Sequence, residues 1–349
     1  MWDISYPERK EFERACKLAG KSLRGLTYKD ATREALYQMM EKDPKVFIMG
    51  EGVDHYGWIF GTTKGFVKRF GKRRVFDTPI AENTMTGVAV GAGLCGLKPI
   101  VVHMRMDFLM LAMDQIVNHA AKLRYMSGGK VKLSMVIRTI IGRGWGSAAQ
   151  HSQSLYSYFM HVPGLKVVIP TTPYDVKGLL VSSIESEGPV VFIETKYLAE
   201  HFGYVPKKLY KIEFGKGTIK RRGSDITVVA VSYMVHEAIK AADLLKCEGI
   251  SVEVVDLRSI RPLDEDIIIR SVKKTGRLIV ADAGWKTCGL SAEIAAIAGK
   301  SAFKYLKKPV ERITLPDAPT PASPVLEEAY YPMSKDIINA ARRICRRQA

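Results

Sequence analysis

Glu82 closes the run VFDTPIAEN and opens the small-residue stretch ENTMTGVAVGAGL. A carboxylate just past a strand and at a helix start lies where open parallel sheets bind ligands, and it can hold or pass a proton there. The same place also suits a carboxylate that only stabilises the positive end of the helix dipole. His151, in GSAAQHSQS, follows Gly142, Gly144 and Gly146 and has Gln150 and Ser152 beside it. An imidazole on such a loop is either an acid–base group or a surface histidine. Arg105 and Asp107 stand two apart in HMRMDF, on one face of a strand end, and form either a salt bridge or a pair that recognises a polar substrate. His103, His119 and His161 have no metal-ligand spacing, and the five cysteines are scattered without a C-x-x-C. Neither a metal framework nor a disulfide framework is expected, and a reducing compartment is. No G-x-S-x-G elbow, Walker loop or H-E-x-x-H occurs.

Gly91, Gly93 and Gly96 spell a literal G-x-G-x-x-G in TGVAVGAGLCGLKP. A dinucleotide site needs a strand before this pattern and a helix after it. Here the order is reversed: small residues at helical spacing precede it, and the apolar run LKPIVVHM, with Pro99 near its start, follows. Proline cannot readily open a helix interior there. The glycines therefore read as the crowded face and the end of a helix that leads into a strand.

The elements that must position these residues alternate. LTYKDATREALYQMMEKDP predicts a helix capped by Thr27 and stopped before Pro44. KVFIMGEG, VFDTPI, PIVVHM, KLSMVIRT, KVVIP and PVVFIET read as strands, and TTPYDVKGLLVSSIES as a helix with a Thr172 cap and Pro173 at its first position. DFLMLAMDQIVNHAAKLRYM reads as one long helix burying Phe108, Leu111, Ala112, Ile116 and Ala120. IIGRGWGSAAQHSQ is a glycine-rich loop. Continuously apolar strands alternating with helices indicate parallel sheets covered on both faces. After a basic, Pro/Gly-punctuated stretch the alternation resumes from ITVVAVS to LSAEIAAIAG; LPDAPTPASPVLEEAYYP is expected to be extended before a last basic helix. The expected boundaries are a charged extension at 1–24, a first domain at 25–202, a linker at 203–223 and a second domain at 224–349.

The 349 residues suffice for two cored domains, and 47% hydrophobic content with a mean hydropathy of −0.03 fits a soluble globular chain. No apolar run reaches the roughly 18 residues of a membrane span. The N-terminus mixes acids with bases and resembles neither a secretory signal nor a transit peptide, so a cytoplasmic location is expected rather than the mitochondrial matrix. The net charge of +17 comes without a zinc finger, an RNP-type aromatic motif or a homeodomain-like helix. It reads as a solvated surface complementary to an acidic partner subunit, and nucleic acid is not expected.

Taken together, LTYKDATREAL, GEGV, FDTPIAEN, GVAVGAGLCGLKPIV, AMDQIVNHAAKLRYMSGG, AAQHSQS, HVPGLKVVIPTTPYDVKGLL, DLRSIRPLD and GWKTCGLSAEI resemble the β subunit of the thiamine-diphosphate-dependent 2-oxo acid dehydrogenases. These are the decarboxylating components of the pyruvate, branched-chain and acetoin complexes, of the transketolase-like superfamily. The resemblance runs from about Leu26 to Pro332 and implies two three-layer α/β/α domains, one pyrimidine-binding and one transketolase C-terminal-like. It implies that Glu82 hydrogen-bonds the aminopyrimidine ring nitrogen of thiamine diphosphate, promoting the tautomer that generates the carbon nucleophile. It implies that Glu51, Ile80, Met104 and Phe108 line the pyrimidine pocket, and that His151 serves as a proton donor or orienter near the substrate. Backbone carbonyls of Met135, Ser183, Ile184, Ser186 and Gly188 match those that hold potassium in some relatives. In this family the α subunit supplies a GDG segment and an asparagine for magnesium and the diphosphate. This chain has no Gly-Asp dipeptide and only three asparagines, Asn83, Asn118 and Asn339. The resemblance thus implies half an active site, an obligate α partner in an α2β2 assembly, and transfer of the acyl group to a lipoyl acyltransferase core. The alternative it leaves is a split transketolase-like enzyme that moves a two-carbon unit to an aldehyde or sugar. HMRMDF and IIGRGWG depart from the usual family pattern, so the 2-oxo acid is not fixed by it.

Overall fold

The computed structural model describes residues 4–55, 59–144 and 146–345. The chain forms two compact units. One runs through Gly142 and resumes at Tyr158–Phe214; the other comprises Arg143–Ser157 and the chain from Gly215 onward.

The first unit is built on parallel strands lying side by side in the order Val75–Asp77, Val46–Gly50, Lys98–His103, Val136–Ile141, Val190–Thr195 and Lys166–Val168. The inner strands VFIMG, VIRTII and VVFIET are buried along their whole length, the burial expected of a parallel sheet covered on both faces. In register, Gly50 stands opposite both Asp77 and Val102, so these three neighbouring strands end at one level. The helix Tyr28–Lys42 packs against Pro173–Ile184. Thr27 accepts the Asp30 N–H at 3.1 Å, and Thr172 forms a reciprocal capping box with Asp175, so both helices start where their caps predict.

Three sequence expectations change here. Residues 5–18 are not a separate extension. Ser5–Tyr6 and Gly25–Thr27 flank Phe202–Tyr204 in an antiparallel sheet, and the helix Arg9–Leu18 buries Phe12 and Cys16. The cause is the Phe12 ring, which meets Phe202 edge-on at 5.2 Å. The expected linker begins in that same sheet and ends in another, since Thr218–Arg221 is a strand of the second unit. The long helix after Arg105 is broken into Met106–Leu109, a 3-10 turn Met110–Ala112, a π turn Gln115–Ala120 and Leu123–Met126. Those changes of pitch rotate the buried stripe: Leu109, Ala112, Ile116 and Ala120 are buried, whereas Leu111 is 64% exposed.

The second unit has the strand order Thr218–Arg221, Val252–Asp256, Ile226–Ala230, Leu278–Trp285 and Glu311–Leu315. The first pairing is antiparallel and the rest are parallel. Its helices include Tyr233–Cys247, Glu265–Thr275, Leu290–Ser301 and Ser334–Cys345. Asp264 caps the second of these, and Gly276 ends it in the left-handed conformation. The Pro-rich tail expected to be extended contains the helix Pro324–Tyr330, with Pro324 set in its first turn. Among the described residues no helix is long and apolar enough to cross a membrane.

Candidate active site

Three chain segments leave the first sheet together at its carboxyl edge. The first is Glu51. Gly50 has φ +133, and a Cβ there would stand 2.3 Å from the Val102 carbonyl oxygen, so only glycine lets the two strands close up before this residue. Glu51 is 9% exposed, and its Oε2 accepts the backbone N–H of Met104 at 2.8 Å. Burial, resisted by that bond and reinforced by the charges of Glu82 and Asp77, pushes its carboxyl up to about 6. Its other oxygen, Oε1, is buried without a hydrogen-bond partner.

The second segment carries Glu82, the first residue of the helix Glu82–Leu94, which is 7% exposed. Thr78 N–H donates to Gly50 O at 3.0 Å, and Asp77 Oδ1 accepts the N–H groups of Val53 and Asp54, tying the turns after the two strands together. The third segment follows His103. Met104 supplies the N–H that holds Glu51, and Phe108 follows, half-buried, in Met106–Leu109. Arg105 donates through Nη2 to Gly142 O at 2.6 Å and is buried, as is Asp107. Ile80 is 82% exposed in this chain. The structure thus brings together Glu51, Glu82 and the Met104 backbone, and it leaves Ile80 at the surface.

His151 belongs to the second unit. It is exposed, and its N–H donates to Ala148 O at 3.4 Å. Its loop is held by residues far along the chain. Gly144 N–H donates to Glu327 Oε1 at 3.0 Å, the Arg143 guanidinium lies 5.2 Å from the Tyr331 ring centre, and Tyr331 donates to Ser152 O at 3.4 Å. Just beyond, Tyr156 donates to Asp282, a fully buried carboxylate whose pKa burial raises. Sequence reading missed Glu327, Tyr331 and Asp282, because they sit 126 to 183 residues from their hydrogen-bond partners and no local spacing marks them.

The proposed potassium carbonyls lie near Lys166. Met135 O accepts Val190 N–H, Ser183 O accepts Ser186 N–H, and Gly188 O accepts Ser186 Oγ–H at 2.8 Å. The Lys166 ammonium donates to Ser186 Oγ at 3.1 Å. Among the described residues no group of three His, Cys, Asp or Glu side chains is placed to hold a metal ion.

Of the G-x-G-x-x-G glycines, Gly93 packs the helix against a neighbour and Gly96 follows the helix end with φ +84. A Cβ on Gly93 would meet Leu133 Cδ1 at 2.4 Å, whereas one on Gly91 would meet nothing within 4 Å. The helix ends at Leu94 and the strand begins at Lys98, the order opposite to a dinucleotide turn.

Comparison with known proteins agrees with this architecture. The transketolase pyrimidine-binding domain model matches residues 24–200, and the transketolase C-terminal domain model matches 215–337. The chain is 44% identical to the β subunit of the acetoin:2,6-dichlorophenolindophenol oxidoreductase of Cupriavidus necator, over 92% of this chain and 97% of that one. It is also 44% identical to the pyruvate dehydrogenase E1 component β subunit of Rickettsia bellii, over 92% and 98%. A solved split-gene transketolase, an inactive β4 tetramer, shares the fold with a TM-score of 0.73 at 23% identity, covering 92% of this chain and 99% of that one. The chain therefore belongs to the family of transketolase-like dehydrogenase β subunits, built from a pyrimidine-binding domain and a transketolase C-terminal domain.

Proposed function

We propose that this chain is the β half of a thiamine-diphosphate-dependent component that decarboxylates a 2-oxo acid oxidatively and passes the acyl group to a lipoyl group. The observation that carries the reading is the pair of buried carboxyls, Glu51 and Glu82, at the carboxyl edge of a pyrimidine-binding domain. Two such groups, one pushed up to about 6 and bearing an orphaned oxygen, fit a ring that offers both a nitrogen and an amino group to hydrogen-bond.

When bound, the cofactor supplies the carbon nucleophile that attacks the 2-oxo carbon and retains the electron pair when carbon dioxide leaves. Glu82, buried at the head of its helix, is the carboxyl that would hydrogen-bond the pyrimidine ring nitrogen. Glu51 offers Oε1 to a donor on the same ring while the Met104 N–H fixes Oε2. Phe108 and Met104 supply the apolar wall, and Ile80, exposed in this chain, extends it toward the α subunit. His151, on its anchored loop, donates or orients a proton at the substrate. The diphosphate and its magnesium fall to an α subunit, since this sequence contains no Gly-Asp-Gly segment. The proposed assembly is an α2β2 heterotetramer in the cytoplasm, a compartment that suits five free cysteines.

The test is purification of the tagged chain from its own cells, followed by 2-oxo acid-dependent reduction of 2,6-dichlorophenolindophenol. A co-purifying chain with a Gly-Asp-Gly segment, retained thiamine diphosphate and dye reduction are expected. A pair that instead transfers two carbons to an aldehyde acceptor, or a chain that comes down alone without cofactor, overturns the reading.

A further inference from the structure

The strand ending at His103 serves both carboxyl-bearing segments. Met104 holds Glu51 through its backbone, and His103 reaches the helix of Glu82 through its side chain. His103 Nε2 lies 3.1 Å from Thr86 Oγ1, and Thr86 Oγ1 donates to the Glu82 carbonyl at 2.7 Å. A hydroxyl has one proton, and that one goes to Glu82 O, so Nε2–H is the donor to Thr86. Burial disfavours the charged ring and Nδ1 has no acceptor to donate to, so the hydrogen sits on Nε2 alone. Both side chains are fully buried.

Two further observations make this contact more than packing. The helix starts without a side-chain cap, since Ala81 occupies the N-cap position, so its first turn lacks the usual device against fraying. His103 Nδ1 is buried without a hydrogen-bond partner. An apolar side chain of similar size would fill the space without leaving a buried nitrogen unpaired. A polar group retained at such a cost needs a use, and the bond to Thr86 is the one it makes from Nε2.

We propose that His103 and Thr86 form a positioning relay that locks the first helical turn, and with it the Glu82 carboxyl, to the strand that also holds Glu51. The relay rests on the reading of Glu82 as the carboxyl that meets the cofactor ring. Neither residue touches the reacting atoms; both act through Glu82.

The test uses the chain purified with its α partner and measures kcat, KM for the 2-oxo acid and thermal midpoints. His103→Phe and Thr86→Val are expected to lower kcat about 10- to 100-fold, the scale of a small misplacement of a catalytic group, with little change in KM. His103→Gln and Thr86→Ser, which keep a donor and a hydroxyl, are expected to recover most of that loss. The double variant His103→Phe/Thr86→Val is expected to be no worse than either single one, since both cut the same relay. Wild-type kcat in both single variants, losses that multiply in the double variant, or losses that only track the thermal midpoint overturn the relay. Glu82→Ala is measured alongside. If it is inactive while the relay variants are normal, the relay alone falls; if it is fully active, the reading of the site falls and takes the relay with it.

Discussion

The backbone N–H of Met104 donates to Glu51 Oε2 at 2.8 Å, joining the ends of two adjacent parallel strands. Glu51 takes up its proton more readily in the folded chain, at about 6 against an ordinary value of 4.5. Between these two values the folded state holds more protons than the unfolded one, so this group's contribution to stability is present below pH 4.5 and is lost as pH rises through 6. Glu51→Gln keeps an acceptor for Met104 and removes the charge. The variant is expected to be more stable than wild type at pH 7 by roughly 1 kcal/mol, an advantage that vanishes at pH 4.5. Denaturant midpoints at the two pH values check this, and equal differences at both contradict it.

His103 works in the opposite sense. Burial holds its pKa down to about 3, against an ordinary value of 6.5. Below 6.5 the unfolded chain takes up a proton that the folded chain refuses, so stability is present above 6.5 and is lost as pH falls toward 3. His103→Phe removes this dependence. Between pH 7 and pH 5 the variant is expected to lose about 2 kcal/mol less stability than wild type. Parallel urea titrations at those pH values measure the difference, and identical losses would show that His103 does not remain neutral.

Most of the architecture was legible because burial imposes periods on sequence. Strands such as VFIMG and VVFIET are apolar throughout, and Thr27 and Thr172 mark helix starts by their own chemistry. Glu82 and Glu51 stand at strand ends, which made them visible as candidates, but the contact that pairs Glu51 with Met104 spans 53 residues. Leu111 shows the limit of periodicity: it lies in the 3-10 turn Met110–Ala112, which interrupts the 3.6-residue repeat on which the expected face depended. The partners of the His151 loop were not legible at all. Glu327 and Tyr331 lie in a Pro-rich stretch whose helix only tertiary packing reveals.

That loop yields a third expectation. Glu327 accepts Gly144 N–H, and Tyr331 touches both Arg143 and Ser152. In the α-paired enzyme, Glu327→Ala and Tyr331→Leu are expected to lower kcat about 10-fold by loosening the loop, less than the roughly 100-fold loss expected for His151→Ala. Glu327→Gln, which can still accept, should retain most activity. Steady-state kinetics decide it, and full activity in both Glu327→Ala and Tyr331→Leu would separate this contact from the role proposed for His151.

The glycine helix gives a fourth. Gly93→Ala drives a methyl against Leu133 and should cost about 1–3 kcal/mol in the chain itself. Gly91→Ala meets open space and should leave the chain as stable or slightly more so, by helix propensity. If a second chain's helix approaches this face, Gly91→Leu will impair assembly while leaving the monomer fold intact. Size-exclusion chromatography with light scattering, beside a thermal melt, separates the two effects; normal assembly of Gly91→Leu would remove this face from the interface.

The most direct measurement is dye reduction by the co-purified α and β chains with a panel of 2-oxo acids, wild type against Glu82→Ala. The wild-type pair is expected to show 2-oxo acid-dependent activity and the variant a loss of at least about 100-fold, with the assembly intact. Undiminished activity in Glu82→Ala would contradict it, because the buried carboxyl at the head of Glu82–Leu94 would then be stabilising a helix and nothing more.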